Sequence, residues 1–116
     1  MNREKVLQMP FSTIYPLYLQ KAERKGRTQQ EVNTIISWLT GYGTTTLQQQ
    51  IAQVVSLEQF FQEAPQWQSK ASLIKGSICG YKVEEIKDEM MWKIRCLDKL
   101  IDELAKGKSL EKILRA

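Results

Sequence analysis

Apolar residues in this chain recur mostly three and four positions apart, the spacing that lines side chains along one face of an α-helix. The strongest run is EMMWKIRCLDKLIDELAK, where Met90, Ile94, Leu97, Ile101 and Leu104 step by four, three, four and three. Asp88 can cap this run, acids open it, Lys106 closes it in agreement with the macrodipole, and Gly107 ends it. The pattern predicts a helix over 88–106. QQEVNTIISWLT repeats the spacing with Val32, Ile35, Ile36 and Leu39, between a capping box at Thr28 and Glu31 and a stop at Gly41.

Weaker patterns fill most of the remainder. Ser12 can cap a helix reaching about Lys25, with Ile14, Leu17 and Tyr18 on its apolar face, Pro16 in its first turn and Gly26 as a left-handed cap. Thr45 and Gln48 can open another, burying Leu47, Ile51 and Val54, with Val55 a further candidate. Ser56 opens LEQFFQEA, which Pro65 stops; Ser109 opens a last short helix, LEKILRA; and REKVLQ can form a helical turn near the start. The least legible stretch is LIKGSICGYKV, residues 73–83, which fits a short buried helix or a strand. We expect a helix, because no other segment offers a clear partner strand and a lone strand leaves its backbone groups unpaired. The sum is one all-α domain over residues 1–116, a compact bundle of about five to six helices around the long helix at 88–106.

Composition narrows the chemistry. The chain has 116 residues, 42% hydrophobic and 26% charged, which are values of a globular domain able to bury a real core. No apolar run is long enough for a membrane helix, and residues 1–20 lack the features of a signal peptide, so a cytoplasmic protein with no membrane partner is expected. Two cysteines, Cys79 and Cys96, stand in no metal-like spacing, and there is no histidine. That removes the commonest general base and the usual Ser-His and Cys-His pairs. No metal site and no cofactor are expected, and no residue is a compelling catalytic candidate.

The net charge of +4 is unevenly spread. Residues 1–27 carry six Lys/Arg against two acids, residues 28–69 none against three, and residues 70–116 eleven against eight. Positive charge therefore gathers towards the two ends of the sequence.

Five blocks in order, MPFSTIYPLYLQKAERKGRTQQEV, WLTGY, FFQEAP, ICGYKVEEI and LDKLIDELAKGKSLEKIL, resemble the bacterial family known as domain of unknown function 2200. The resemblance covers residues 9–115. It implies a small single-domain bacterial protein without an established activity, and it brings no catalytic or binding residues. Two positions depart from the family pattern as the resemblance implies it: Gly43, where a serine or similar residue is usual, and Glu89, where a proline is usual. Both concern helix punctuation.

Several features could carry function. GYGTTT lacks the lysine of a P-loop and the preceding strand of a dinucleotide loop, so it reads as punctuation between helices. Read as a helix-turn-helix, TTTLQQQI would approach DNA with net charge −3 across residues 28–69, which opposes backbone affinity. Lys21, Arg24, Lys25 and Arg27, with the basic C-terminus, are the candidate nucleic-acid contacts. Tyr18, Trp38, Tyr42, Trp67 and Cys79 are the candidates for a ligand or partner pocket, Trp67 being the one expected to stand exposed beside Pro65. Glu84 and Glu85 are adjacent and diverge on a helix, a poor acid–base pair. The expected role is noncatalytic: a protein-interaction or small-ligand-binding module, able to self-associate through an apolar helix face. Nucleic-acid binding through the basic ends is the alternative, and a histidine-free enzyme using Cys79 the third reading.

Overall fold

The computed structural model describes residues 3–115. Seven α-helices and a two-residue-per-strand hairpin lie among them: α1 (Arg3–Leu7), α2 (Phe11–Glu23), α3 (Gln29–Thr40), α4 (Thr44–Ala52), α5 (Leu57–Gln62), β1 (Ser77–Ile78), β2 (Tyr81–Lys82), α6 (Glu89–Ala105) and α7 (Leu110–Ile113). Two 3-10 turns, Ser69–Leu73 and Val83–Glu85, flank the hairpin. Ala116, the last residue of the expected C-terminal helix, lies outside the described residues. No helix among the described residues is long and apolar enough to cross a membrane.

The bundle forms around α6, which packs against α2, α3, α5, α7 and the hairpin. From Ile94 to Ala105 this helix is covered on nearly every side, so Cys96 and Leu100 join the Ile94–Leu97–Ile101–Leu104 seam as core residues. Local signals set most boundaries as the sequence predicts. The Thr28–Glu31 capping box is formed in both directions, Ser56 accepts from the Gln59 amide, Asp88 from those of Met90 and Met91, and Ser109 from that of Lys112. Helix α2 ends in a Schellman motif: left-handed Gly26 donates to Glu23 O and Arg27 to Ala22 O, each at 3.0 Å.

Four expectations are corrected. Residues 73–83 do not form a helix. The segment is its own partner: Ser77 pairs with Lys82 and Ile78 with Tyr81, through a turn whose central residues, Cys79 and Gly80, both have positive φ. Ile78 and Val83 are buried, which fixes the hairpin on the core. Helix α2 begins at Phe11, earlier than a cap at Ser12 allows, because Pro10 is pinned against Ser56 by Phe11 N–Val55 O and Leu57 N–Met9 O bonds, each 2.8 Å. Pro16 therefore falls in the second turn, where the Ser12 carbonyl goes without its helical N–H. The buried face of α2 is Phe11, Tyr15, Tyr18 and Ala22, leaving Leu17 at 53% exposure. Finally α4 starts after Gly43 instead of at a Thr45–Gln48 box, and it ends before Val54, which is 82% exposed while Val55 turns inward.

Candidate functional site

The aromatic candidates do not meet in one pocket. Tyr42 points inward between Gly41 and Gly43; its ring tilts against Phe60 at 4.8 Å and its hydroxyl donates to the Phe60 carbonyl at 2.7 Å. Phe11 stacks on Phe60 at 3.8 Å, Phe60 meets Phe61 edge-on, and Phe61 meets Trp67, which in turn packs on Trp92 at 5.6 Å. Trp67 is thus half-buried within an aromatic row, between Phe61 and Trp92, with the Lys93 ammonium 5.1 Å from its ring centroid, and is not the exposed contact its polar neighbours suggest. Trp38 is half-buried against the core from α3. These side chains build the interior.

Tyr18 and Cys79, by contrast, belong to one polar chain. The buried Tyr18 hydroxyl donates to Asp98 at 2.6 Å, Asp98 accepts from Arg95 Nη1 at 2.8 Å, and the same Nη1 lies 3.7 Å from Cys79 Sγ. Burial, and then the adjacent Asp98 carboxylate, pushes the Tyr18 hydroxyl well above its ordinary range. Cys79 is exposed at the hairpin tip with φ 52°, a left-handed position uncommon outside glycine. A nucleophilic thiol needs an electropositive neighbour or a base. Arg95 supplies the first, although its charge is already shared with Asp98.

The strongest assembly gathers where α2, α6 and α7 end together. Arg27 forks onto Glu31 at 2.7 Å and reaches across to the carbonyls of Leu104 at 3.1 Å and Lys108 at 2.9 Å. Lys21 reaches Asp102 at 3.2 Å. Parts of the two basic stretches, Lys21 and Arg27 from the first and Lys99 to Arg115 from the second, thereby come to one end of the molecule, while Arg3 pairs with Asp88 at the other end of α6. Asp102 also takes Lys106 at 3.0 Å and Lys99 at 3.9 Å, while Glu103 takes Arg115 at 2.8 Å and Lys108 at 3.6 Å. Burial pushes the Asp102 carboxyl up, but Lys106 and Lys21 outweigh it and hold the group below its usual range. Both carboxylates are nearly buried, at 12% and 7% side-chain exposure, so the cations lie outside them. Beside them opens a groove of about 670 Å³, lined by Lys75, Lys99, Glu103, Lys106, Lys108 and Lys112 with Gly107 and Ser109.

Of the four cations expected near the end of the first long helix, Lys21 and Arg27 are thus tied into packing, while Arg24 and Lys25 stand exposed on the turn between them. Sequence reasoning missed Lys75 and Lys99. Lys99 and Lys106 lie seven residues apart on one helix face with Asp102 between them, a signal that periodicity offered. Lys75 precedes the hairpin, and only the docking of that hairpin brings it to the groove.

A second concavity, about 860 Å³, opens between α3 and α4. Gln29, Gln30, Asn33, Thr34, Thr44 and Gln48 line it over Leu47 and Ile51, and none of its lining residues is charged. The Tyr15 hydroxyl ties its floor, donating to Asn33 and accepting from Gln29 at 3.1 Å.

Comparison with known proteins follows these features. Residues 5–115 match the family described as an uncharacterized protein conserved in bacteria, domain of unknown function 2200. The chain belongs to that family. The match begins four positions before the Met9 at which the sequence blocks place it. No curated protein matches. Among solved structures, the crystal structure of uncharacterized protein SP1917 is similar, with 38% identity over 98% of this chain and 93% of that one and a TM-score of 0.92. The family fold is therefore this mostly helical single domain, and neither comparison carries an activity. The two positions at which the resemblance implies another residue fall on helix starts: Gly43 is the N-cap of α4 and Glu89 the first residue of α6, a place that tolerates proline well.

Proposed function

We infer that this protein is a noncatalytic cytoplasmic binding module for a polyanionic partner, and that a nucleic-acid backbone fits it best. One observation carries this reading: basic stretches 81 positions apart meet at one end of the bundle, with more cations than the buried carboxylates there neutralise. Lysines dominate the groove and no aromatic side chain lines it, which suits phosphate contact without base stacking. The free thiols of Cys79 and Cys96 suit a reducing compartment. Four large apolar side chains, Leu17, Val54, Leu73 and Tyr81, are exposed and are the candidates for self-association.

Fluorescence anisotropy with single-stranded and duplex DNA and RNA tests the reading. Binding at low salt that weakens linearly in log–log form with added salt is expected. No binding to any nucleic acid at 20 mM salt, together with retention of an acidic protein partner in a pull-down, would transfer the role to protein interaction. The uncharged cleft between α3 and α4 favours a second reading, a small neutral ligand. Thermal stabilisation by an uncharged metabolite, insensitive to salt, would support it.

A further inference from the structure

The cations around the groove are not equivalent. Lys99 is committed: its side chain is 13% exposed, and its ammonium donates to the Ser77 carbonyl at 3.2 Å while lying 3.9 Å from Asp102. Lys108 faces Glu103, which Arg115 already holds through both carboxylate oxygens at 2.8 and 3.0 Å. Lys106 is 71% exposed and shares Asp102 with Lys21 and Lys99. Lys75 and Lys112 line the groove and make no ion pair among the described residues. One effect works against an anion here, because the C-terminal end of α6 carries roughly half a negative charge. Arg27 offsets it directly by donating to the Leu104 and Lys108 carbonyls. Lys75, whose charge also reaches the Glu84 carboxylate, and Lys112 form no close ion pair among the described residues, and with the over-shared Lys106 they leave a positive field facing the opening.

We propose that this groove is a phosphate-chain site, in which Lys75 and Lys112 are the principal contacts and Lys106 a third, and that it reads phosphate charge without reading base or sugar. The proposal rests on the polyanion reading above and adds its location and ligand chemistry. A groove of about 670 Å³ is too large to need only one phosphate, so several phosphates in series fit it. Lysine ammoniums act as point charges without the fixed fork of arginine, which makes the site tolerant of phosphate geometry. The only carboxylate in the lining, Glu103, is held by Arg115 and sits beneath the cations. A nucleic-acid strand and inorganic polyphosphate supply the same chemistry.

The test uses a labelled 20-nucleotide oligothymidylate, with inorganic tripolyphosphate, inorganic polyphosphate and an oligouridylate as competitors. Displacement by both inorganic chains, and DNA and RNA affinities within about threefold of each other, are expected. Lys75→Gln and Lys112→Gln should each weaken binding about fivefold and lower the salt slope by about 0.7, the value of one single-strand contact. Lys87→Gln, at a residue that does not line the groove and stands before the start of α6, should change affinity less than twofold. Oligothymidylate binding that survives the Lys75→Gln/Lys112→Gln double substitution, or that tripolyphosphate leaves untouched, overturns the site while the polyanion reading stands. Polyphosphate binding without nucleic-acid binding keeps the site and removes the nucleic-acid source. No binding of either chain at low salt removes both.

Discussion

Arg27 donates to the Lys108 carbonyl across 81 positions of sequence, at 2.9 Å, while the same guanidinium holds Leu104 O and Glu31. It straps the end of α2 to the end of α6, with its side chain only 16% exposed. Arg27→Ala should cost about 2 kcal/mol, since it leaves the part-buried Leu104 carbonyl and the Glu31 carboxylate without their charged donor. For a chain of this length that is about 8 °C in Tm. Arg27→Lys, which keeps charge but not the fork, should recover less than half of it. Arg24→Ala and Lys25→Ala, both exposed, should stay within about 0.5 kcal/mol of the parent. Equal losses at all four would show that Arg27 is not the strap.

The two glycines beside Tyr42 should behave oppositely. Gly41 has φ 84°, and a Cβ there would stand 2.6 Å from the Gln66 backbone nitrogen. That close approach lets Gln66 N reach Thr40 O at 3.0 Å and Gln68 N reach Leu39 O at 2.9 Å, satisfying carbonyls at the end of α3. Gly41→Ala should therefore cost about 3 kcal/mol or more, from left-handed strain plus the displaced bonds. Gly43 has φ −77°, and its nearest neighbour to an added Cβ is Thr46 Oγ1 at 3.8 Å. Gly43→Ser should stabilise by about 0.5 kcal/mol by capping α4 and stiffening the unfolded chain. Urea titrations of the two variants decide the matter.

Tyr42 caps α5 from a distance. The Ala64 amide, which would continue the helix to Phe60, bonds Phe61 O instead, and the Tyr42 hydroxyl takes the Phe60 carbonyl. Tyr42→Phe should cost about 1–2 kcal/mol by leaving that acceptor unpaired.

Alkaline pH should weaken the fold in two stages. Burial pushes Cys96 from its ordinary 9.0 to about 12, and burial with the nearby Glu63 pushes Tyr42 from 10.0 to about 12. In each case the folded chain holds the proton more tightly than the unfolded chain. Stability is then complete below pH 9, falls from about 9 as unfolded Cys96 ionises, and falls more steeply from about 10 towards 12. Urea midpoints measured from pH 8 to 11 should show the decline, with Cys96→Ala flattening its first part and Tyr42→Phe only a share of its second, because the buried Tyr18 hydroxyl, also raised, loses stability over the same range. Midpoints constant to pH 11 would contradict the burial of both groups.

Cys79 and Cys96 should separate cleanly on alkylation. Cys79 is exposed beside Arg95, whereas Cys96 is buried. N-ethylmaleimide at pH 7 should modify Cys79 in the native protein, and Cys96 only after denaturant is added, as mass spectrometry of the two peptides would show. If Cys79→Ser abolishes a hydrolytic or transferase activity found for the parent, the enzymatic reading displaces the binding one.

Residues whose partners lie within a turn or two were legible without a structure. The Thr28–Glu31 box, the caps at Ser56, Asp88 and Ser109, and the stops at Gly26, Gly41 and Gly107 all satisfy backbone groups two to five positions away, so local sequence contains both partners. The long seam of α6 was legible for the same reason. The hairpin at 77–82 was not: its strands of two residues are too short for alternation, and its turn carries Cys79 where asparagine or glycine is the usual signal. Nor could sequence say that Leu17 faces solvent or that Trp67 joins an aromatic row between Phe61 and Trp92, since those depend on which element lies opposite. Charge followed the same division. The sequence by itself determined that cations gather near its two ends, in a helical chain without histidine. Only the tertiary structure decided that Lys21 and Arg27 meet the end of α6 while Arg3 goes to Asp88, which lysines are consumed by Asp102 and Glu103, and that Lys75 and Lys112 remain to face a groove, because Coulomb interactions depend on distance in space and the chain order does not record it.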